Sequence, residues 1–350
     1  MADGLEKRLT WKGQADGISC GPGAVRMLVG MLGNAEPNLN PFEVRDMMGT
    51  NPYTGTTDVE MFRAMRAWGL PHRRMLPQPE EDGRVGRLAR WLEAGNPALL
   101  RGMRHGGKHW ILAVGMDEGQ FVIADPATGV ERIRENEMRA ILAPRGFEIW
   151  AVLGRAVPHK LELGTVGWKD SNEALTLCSQ VLGTPRTKVS RAEVRQIIAR
   201  DTNWEISGAL RVNGRIVACY ALNETNVGYA LNTDEETTTS TAVLRLAKRL
   251  EGKRCVWGIA LACRADSRDR GYGRLVRSVP GKLGFDASFG FQLKELDNEE
   301  QWAKVRPWRV DMGYAWLTAG PVKPLEAMNI SPLANASEAE FIPEEEPYEI

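Results

Sequence analysis

The sequence predicts an α+β protein built as two helix-and-sheet units in series. Three observations carry that expectation. Early apolar positions recur at helical spacing and then give way to short buried runs typical of strands. A second series of helices and strands follows, after the candidate linker Arg155–Gly164, which contains Pro158 and Gly164. And 350 residues with 43% hydrophobic content exceed one ordinary domain. The expected division is 1–157, 158–325 and an acidic tail, 326–350.

In the first unit, Cys20–Leu32 carries Val25, Met27, Leu28, Met31 and Leu32 at helical spacing. Asp58–Trp68 repeats the pattern after the candidate caps Thr56 and Thr57. Val85–Leu92 is a third helix. Ala98–Leu100, Trp110–Val114, Phe121–Ala124 and Ile149–Leu153 are short apolar runs and predict strands, with a turn over Gly115–Gln120. Helices first and an antiparallel sheet second predict α+β.

In the second unit, Ala174–Val181, Arg191–Ala199 and Thr238–Leu250 predict helices. Glu205–Val212 and Arg215–Glu224 flank Asn213-Gly214, a strong hairpin signal. Strands are expected at Cys255–Cys263, Ala287–Leu293 and Tyr314–Leu317. Short helices are expected over Leu275–Leu283 and Glu299–Val305.

Charge excludes some functions. Lys and Arg number 45, as do Asp and Glu, so the formal net charge is zero. That argues against a protein made mainly to bind nucleic acid. The charge is uneven: 1–158 carries 20 basic and 19 acidic residues, 159–325 carries 25 and 19, and the remainder has seven acids and no base. The middle suits an anionic ligand, and the tail suits a basic protein partner. Met328–Ile350 also has the Ala/Glu/Pro/Ser composition of disordered chain. No apolar run reaches the roughly 18 residues of a membrane span. Met1–Lys12 has no apolar signal core, so no secretory leader is expected. Five cysteines at irregular spacing make no disulfide framework and favour a reducing compartment.

Cys20 opens its helix in Gln14-Ala-Asp-Gly-Ile-Ser-Cys20-Gly-Pro-Gly. A thiol there faces the positive end of the helix dipole, which favours a thiolate. Taken alone, such a cysteine is more often simply buried. His109 precedes the strand Trp110–Val114, and Asp125 ends the next. If those strands pair as a hairpin, imidazole and carboxylate lie side by side, suited to nucleophilic catalysis. Gln14 is placed to donate its amide to an oxyanion. His105 and His109 are four apart, but Gly106-Gly107 breaks a helix and no Glu follows the first His, so no zinc motif is expected. The glycines predict a flexible loop at a cleft mouth. His72 and His159 are expected at the surface.

The order Gln14…Cys20-Gly-Pro, Gly55-Thr, Gly95-Asn-Pro97-Ala-Leu-Leu, His109-Trp-Ile-Leu-Ala-Val-Gly115 and Val122-Ile-Ala-Asp125-Pro-Ala-Thr-Gly129 resembles the papain-like cysteine peptidases, in particular the bacteriocin-processing double-glycine peptidases. The resemblance spans about 150 residues. It implies a peptide or protein substrate, with Cys20 as nucleophile, His109 as general base and acid, Asp125 as orienting group and Gln14 as oxyanion donor. Gly23 departs from the family's more common alanine. No transporter domain accompanies these motifs, so the export role does not carry over.

In the second unit a strand leads into Arg264-Ala-Asp-Ser-Arg268-Asp269-Arg270-Gly271-Tyr272-Gly273-Arg274, followed by a helix. Glycines let backbone amides approach a pyrophosphate, and arginines add charge. In this context the segment resembles the GNAT acyltransferases, over about 160–322. The resemblance implies an α/β domain with a mixed, mostly antiparallel sheet and acetyl-CoA or another acyl-CoA as cofactor. Residues 268–274 would hold the pyrophosphate, and the backbone of Ala260, Leu261 and Ala262 would pair with the pantetheine arm. The family's carboxylate base is missing from Cys255–Cys263, leaving Glu205 and Glu224 as candidates, and Tyr314 as a loose substitute for its acid. Cys178, Cys219, Cys255 and Cys263 are expected in the core, and no metal is expected in either unit.

The leading reading is a cysteine peptidase joined to an acyltransferase-like domain, in the cytoplasm. The alternatives are a structural or delivery protein, such as a bacteriophage virion component using the folds as scaffold, and a peptidase whose second domain only binds substrate or CoA as a regulator.

Overall fold

Helix caps set the first elements. Asn40 caps α2 (Pro41–Met48) by accepting from the Phe42 and Glu43 amides, and Glu43 returns a bond to the Asn40 amide. Thr57 and Glu60 form the same box at α3 (Asp58–Ala67). With α1 (Cys20–Gly33) these helices bury Met27, Leu28, Met31, Met47, Met61 and Met65. The computed structural model describes residues 9–33, 39–51, 53–75, 81–143, 146–152, 159–182, 190–224, 241–268, 270–293, 308–311 and 315–321. The expected helix Glu299–Val305, Asp269, Tyr314 and the tail lie outside them.

The first sheet has the order β1-β6-β2-β3-β4-β5: β1 His72–Met75, β2 Ala98–Arg104, β3 Gly107–Asp117, β4 Gln120–Asp125, β5 Gly129–Ile133 and β6 Phe147–Ala151. Every pair is antiparallel. One face packs on α1–α3 through Leu99, Leu112, Val122 and Ala124. The other packs on α4 (Glu81–Glu93) and α5 (Glu135–Leu142) through Leu100, Ile111, Phe121 and Ile123.

Several boundaries differ from expectation. The turn between β3 and β4 is Glu118-Gly119, both at positive φ, so Gly115 to Asp117 continue the strand. Leu161–Gly164, expected within the linker, belongs to β7 (Leu161–Thr165), which pairs with β8. Neither His72 nor His159 is free on the surface. His72 Nδ1 contacts the Leu70 carbonyl, and His159 Nδ1 contacts the Ala67 carbonyl while its amide donates to Trp68.

The second sheet has the order β12-β13-β11-β10-β9-β8-β7. Its strands are β8 Gly208–Val212, β9 Arg215–Glu224, β10 Cys255–Cys263, β11 Ala287–Leu293, β12 Trp308–Asp311 and β13 Ala315–Pro321. Asn213 and Gly214, at φ 50° and 81°, make the expected hairpin turn. Glu205 lies in a turn before β8 rather than on the strand. Only β10 and β11 pair in parallel, over Cys255–Trp257 and Ala287–Phe289, so the sheet is mixed and mostly antiparallel. The crossover between them holds two short helices, α9 (Tyr272–Val276) and α10 (Val279–Lys282), where one stretch was expected. Helices α6 (Gly167–Leu182) and α7 (Arg191–Asp201) cover one face, with Cys178 and Cys219 buried beneath. Helix α8 (Thr241–Leu250) packs near Cys255, Ala287 and Phe289.

The remaining face meets the first unit. Leu210, Val217, Tyr220, Leu222, Tyr272, Leu275 and Phe285 share one buried cluster with the core of α1–α3.

Candidate active site

Cys20 begins α1, and the chain before it is held by one carboxylate. Asp16 accepts from the Ile18 amide at 3.0 Å and the Ser19 hydroxyl at 2.6 Å, and pairs with buried Arg45 at 2.7 Å. Gly21 lets α1 approach the start of α3: a Cβ there would lie 2.3 Å from Thr56 Oγ1. Thr56 is fixed in turn, its carbonyl accepting from Trp110 Nε1 at 2.9 Å. Backbone and packing thus fix the thiol's position before any polar partner is considered. Gly23 serves close packing in the same way, since a Cβ there would stand 2.9 Å from Pro126.

Strands β3 and β4 pair with Leu112 opposite Ala124. That register sets His109 and Asp125 on the same side of the pleat. His109 Nε2 lies 2.7 Å from Asp125 Oδ1, as the hairpin reading required. The Cys20 thiol lies beside His109 and acts on its charge. Burial disfavours a charged ring here, but Asp125 and the thiol outweigh it and raise His109 to about 9. Asp125 is fully buried, which opposes its charge, yet bonds from His109, the Ala127 amide and His105 hold it well below the usual carboxylate range. Imidazolium and carboxylate are therefore the favoured forms.

Gln14 is tethered to the same place: its amide donates to the Pro126 carbonyl at 2.9 Å. Trp11 Nε1 donates to the Asp125 carbonyl at 2.8 Å. Gln14 Oε1 is buried and makes no hydrogen bond among the described residues.

Two further residues reach this carboxylate: Arg104, which the sequence reading does not single out, and His105, which it weighs only as a zinc-motif partner of His109. Arg104 Nε lies 2.7 Å from Asp125 Oδ2 and also binds Glu131. His105 Nε2 lies 2.9 Å from the same Oδ2. Gly106 and Gly107 do not form a loose loop. Arg104 pairs with Gly107 across the β2–β3 hairpin, and His105 and Gly106 turn it at φ 53° and 78°. The signal was a two-residue turn, His-Gly, between strands, which a search for helical histidine spacing does not detect.

The glycine segment of the second unit is placed differently. A Cβ at Gly271 would meet the Met47 carbonyl at 1.8 Å. The Tyr272 hydroxyl, buried, donates to the Ala67 carbonyl at 2.5 Å. Arg274 reaches the end of α2, where Gly49 makes room for its guanidinium, and burial lowers its pKa. Gly271, Tyr272 and Arg274 thus face the first unit. Gly273 lies near Cys263 and Leu261, Arg268 is exposed and Arg270 partly buried. Ala260, Leu261 and Ala262 pair with Ala221, Tyr220 and Cys219 of β9, after a bulge between Gly258 and Ala260. Glu224 pairs with Arg254 and stands opposite Val256, at the other end of β10 from the glycines.

No protein-family model matches the chain, and no curated protein matches it. Solved structures match each half. The peptidase domain of Streptococcus ComA, a bifunctional ABC transporter, is 20% identical, covering 41% of this chain and 99% of that one at TM-score 0.34. A C39-like peptidase from Bacillus anthracis is 12% identical, covering 42% and 96% at 0.33. Drosophila melanogaster polyamine N-acetyltransferase is 13% identical, covering 45% and 97% at 0.31. Among the described residues no helix is long and apolar enough to cross a membrane.

Proposed function

We propose that the first unit hydrolyses an amide bond of a peptide or protein through Cys20, His109 and Asp125. The observation that carries this reading is a buried carboxylate 2.7 Å from one nitrogen of an imidazole that stands beside a helix-opening thiol. The Cys20 sulfur attacks the carbonyl carbon, and its proton resides on His109. The Cys20 amide, in the first turn of α1 and without an intrahelical acceptor, and the Gln14 side-chain amide receive the oxyanion. His109 returns the proton to the leaving amine. It then takes one from the water that attacks the thioester, restoring the thiol pair and releasing the acid. Asp125 holds the ring and balances its charge.

Thiol reactivity tests this. Cys20 is expected to alkylate fastest of the five cysteines with iodoacetamide at neutral pH, and more slowly in His109→Ala. Burial pushes Cys255 and Cys263 up to about 11, which makes them poor competitors. Equal rates at all five would remove the peptidase reading and leave the scaffold reading in front.

A second observation favours acyl-CoA binding by the second unit. Parallel pairing of β10 with β11 covers three residues and ends just before the bulge, which supports an opening beside Ala260–Ala262 for an amide-bearing arm. Arg268 and the neighbouring amides would then receive the pyrophosphate. Peptide cleavage releases an amine, and an amine is the acceptor such a domain acylates. Calorimetric titration with acetyl-CoA tests the binding; no heat would assign this unit to scaffolding.

A further inference from the structure

We propose that His105, His109 and Asp125 form a binding site for a zinc-class divalent cation, and that the ion shuts down the proton chemistry of His109. The candidate ligand atoms of these three residues all lie within 4.8 Å of one another. The rings meet edge to face with centroids 5.0 Å apart, and both Nε2 atoms converge on one carboxylate. Two imidazoles and a carboxylate suit zinc, copper or nickel, whereas magnesium and calcium prefer oxygen ligands alone. Asp125 and Glu131 share the single guanidinium of Arg104. Coordination displaces the proton from His109 Nε2, and Asp125, Glu131 and Arg104 then carry one net negative charge toward a dication. Asp125 and His109 are buried and His105 is exposed, so the approach is from the hairpin tip.

The chemical consequence follows from the two ring nitrogens. Coordination through Nε2 leaves the neutral ring's proton on Nδ1. With Asp125 on Nε2, Nδ1 is the nitrogen available to the thiol, and once protonated it has no lone pair for the sulfur's proton. This consequence rests on the peptidase reading; ion binding does not.

The test is calorimetric titration of Zn²⁺ into full-length Cys20→Ala protein, which removes the competing thiol. One ion per chain is expected. His105→Asn, whose residue tolerates positive φ, should weaken binding at least about tenfold. Mg²⁺ should give no heat. Histidine ¹⁵N spectra, simplified by only four histidines, should show perturbation of His105 and His109 with the His109 proton retained on Nδ1. Absent binding, unchanged affinity in His105→Asn, or perturbation confined to His72 and His159 would each overturn the site. Failure of Cys20 alkylation would instead remove only the consequence for catalysis.

Discussion

The β3–β4 end of the first unit and the glycine segment after β10 both join a strand to a chemically suggestive sequence, yet they end in different surroundings. At the first, side chains converge on one another: four donors, from His109, His105, Arg104 and the Ala127 amide, meet Asp125. At the second, Gly271, Tyr272 and Arg274 converge on the backbone of α2 and α3 in the other unit. A polar triad defines itself by mutual distance. A glycine turn permits close approach of any backbone or ligand, so its partner must be read from the fold.

The comparison can be broken most forcefully at the thiol. His109→Ala should lower peptide hydrolysis by roughly a thousandfold or more, and Cys20→Ala should remove the covalent route. Steady-state kinetics on a cleaved peptide would check both. Comparable loss in Gly271→Ala would show that the two regions share one function.

Next comes pH. His109 is raised from 6.5 to about 9, so its stabilisation is complete below about pH 6.5 and lost as pH rises through about 9. Asp125 is lowered from 3.8, so its stabilisation is complete above about pH 4 and lost on further acidification. The His109 contribution amounts to at most about 3 kcal/mol. Denaturant unfolding across the alkaline range should show that loss, and His109→Ala should flatten it.

Smaller effects sharpen the second region. Gly271 has φ 79° and abuts the Met47 carbonyl. Gly271→Ala should cost about 2 kcal/mol, against about 0.5 kcal/mol or less for an open surface loop. Thermal melting of the whole chain distinguishes the two. Tyr272→Phe should cost about 1 kcal/mol by removing the buried hydroxyl's bond to the Ala67 carbonyl, which keeps its contact with His159 Nδ1, seen as a lower denaturation midpoint.

The regular parts were legible because one period dominates each. Arg215–Glu224, Cys255–Cys263 and Ala287–Leu293 coincide with β9, β10 and β11. Cys20, His109 and Asp125 were legible because each stands at an element boundary in an order that implies a hairpin. Helix α2 was not, because Glu43 and Arg45 are buried among its apolar residues and blur the periodicity. Strand β1, His72-Arg-Arg-Met75, has no apolar alternation. Its arginines stack instead: Arg73 over Trp91 and Trp150, Arg74 over Phe147. The contact of His105 with Asp125 was not legible because it depends on the register of three strands.

Helix α3 gives the interface a reach beyond stability. Its leading end sits where Thr56 meets Gly21, one residue from the thiol, and its trailing end carries the Ala67 carbonyl that receives Tyr272. Ten residues at about 1.5 Å each make a rod of roughly 15 Å. Such a rod transmits displacement rather than absorbing it. The seam between the units and the Cys20 thiol therefore lie at opposite ends of one rigid element, so the two are tied to a single helix rather than to separate parts of the fold.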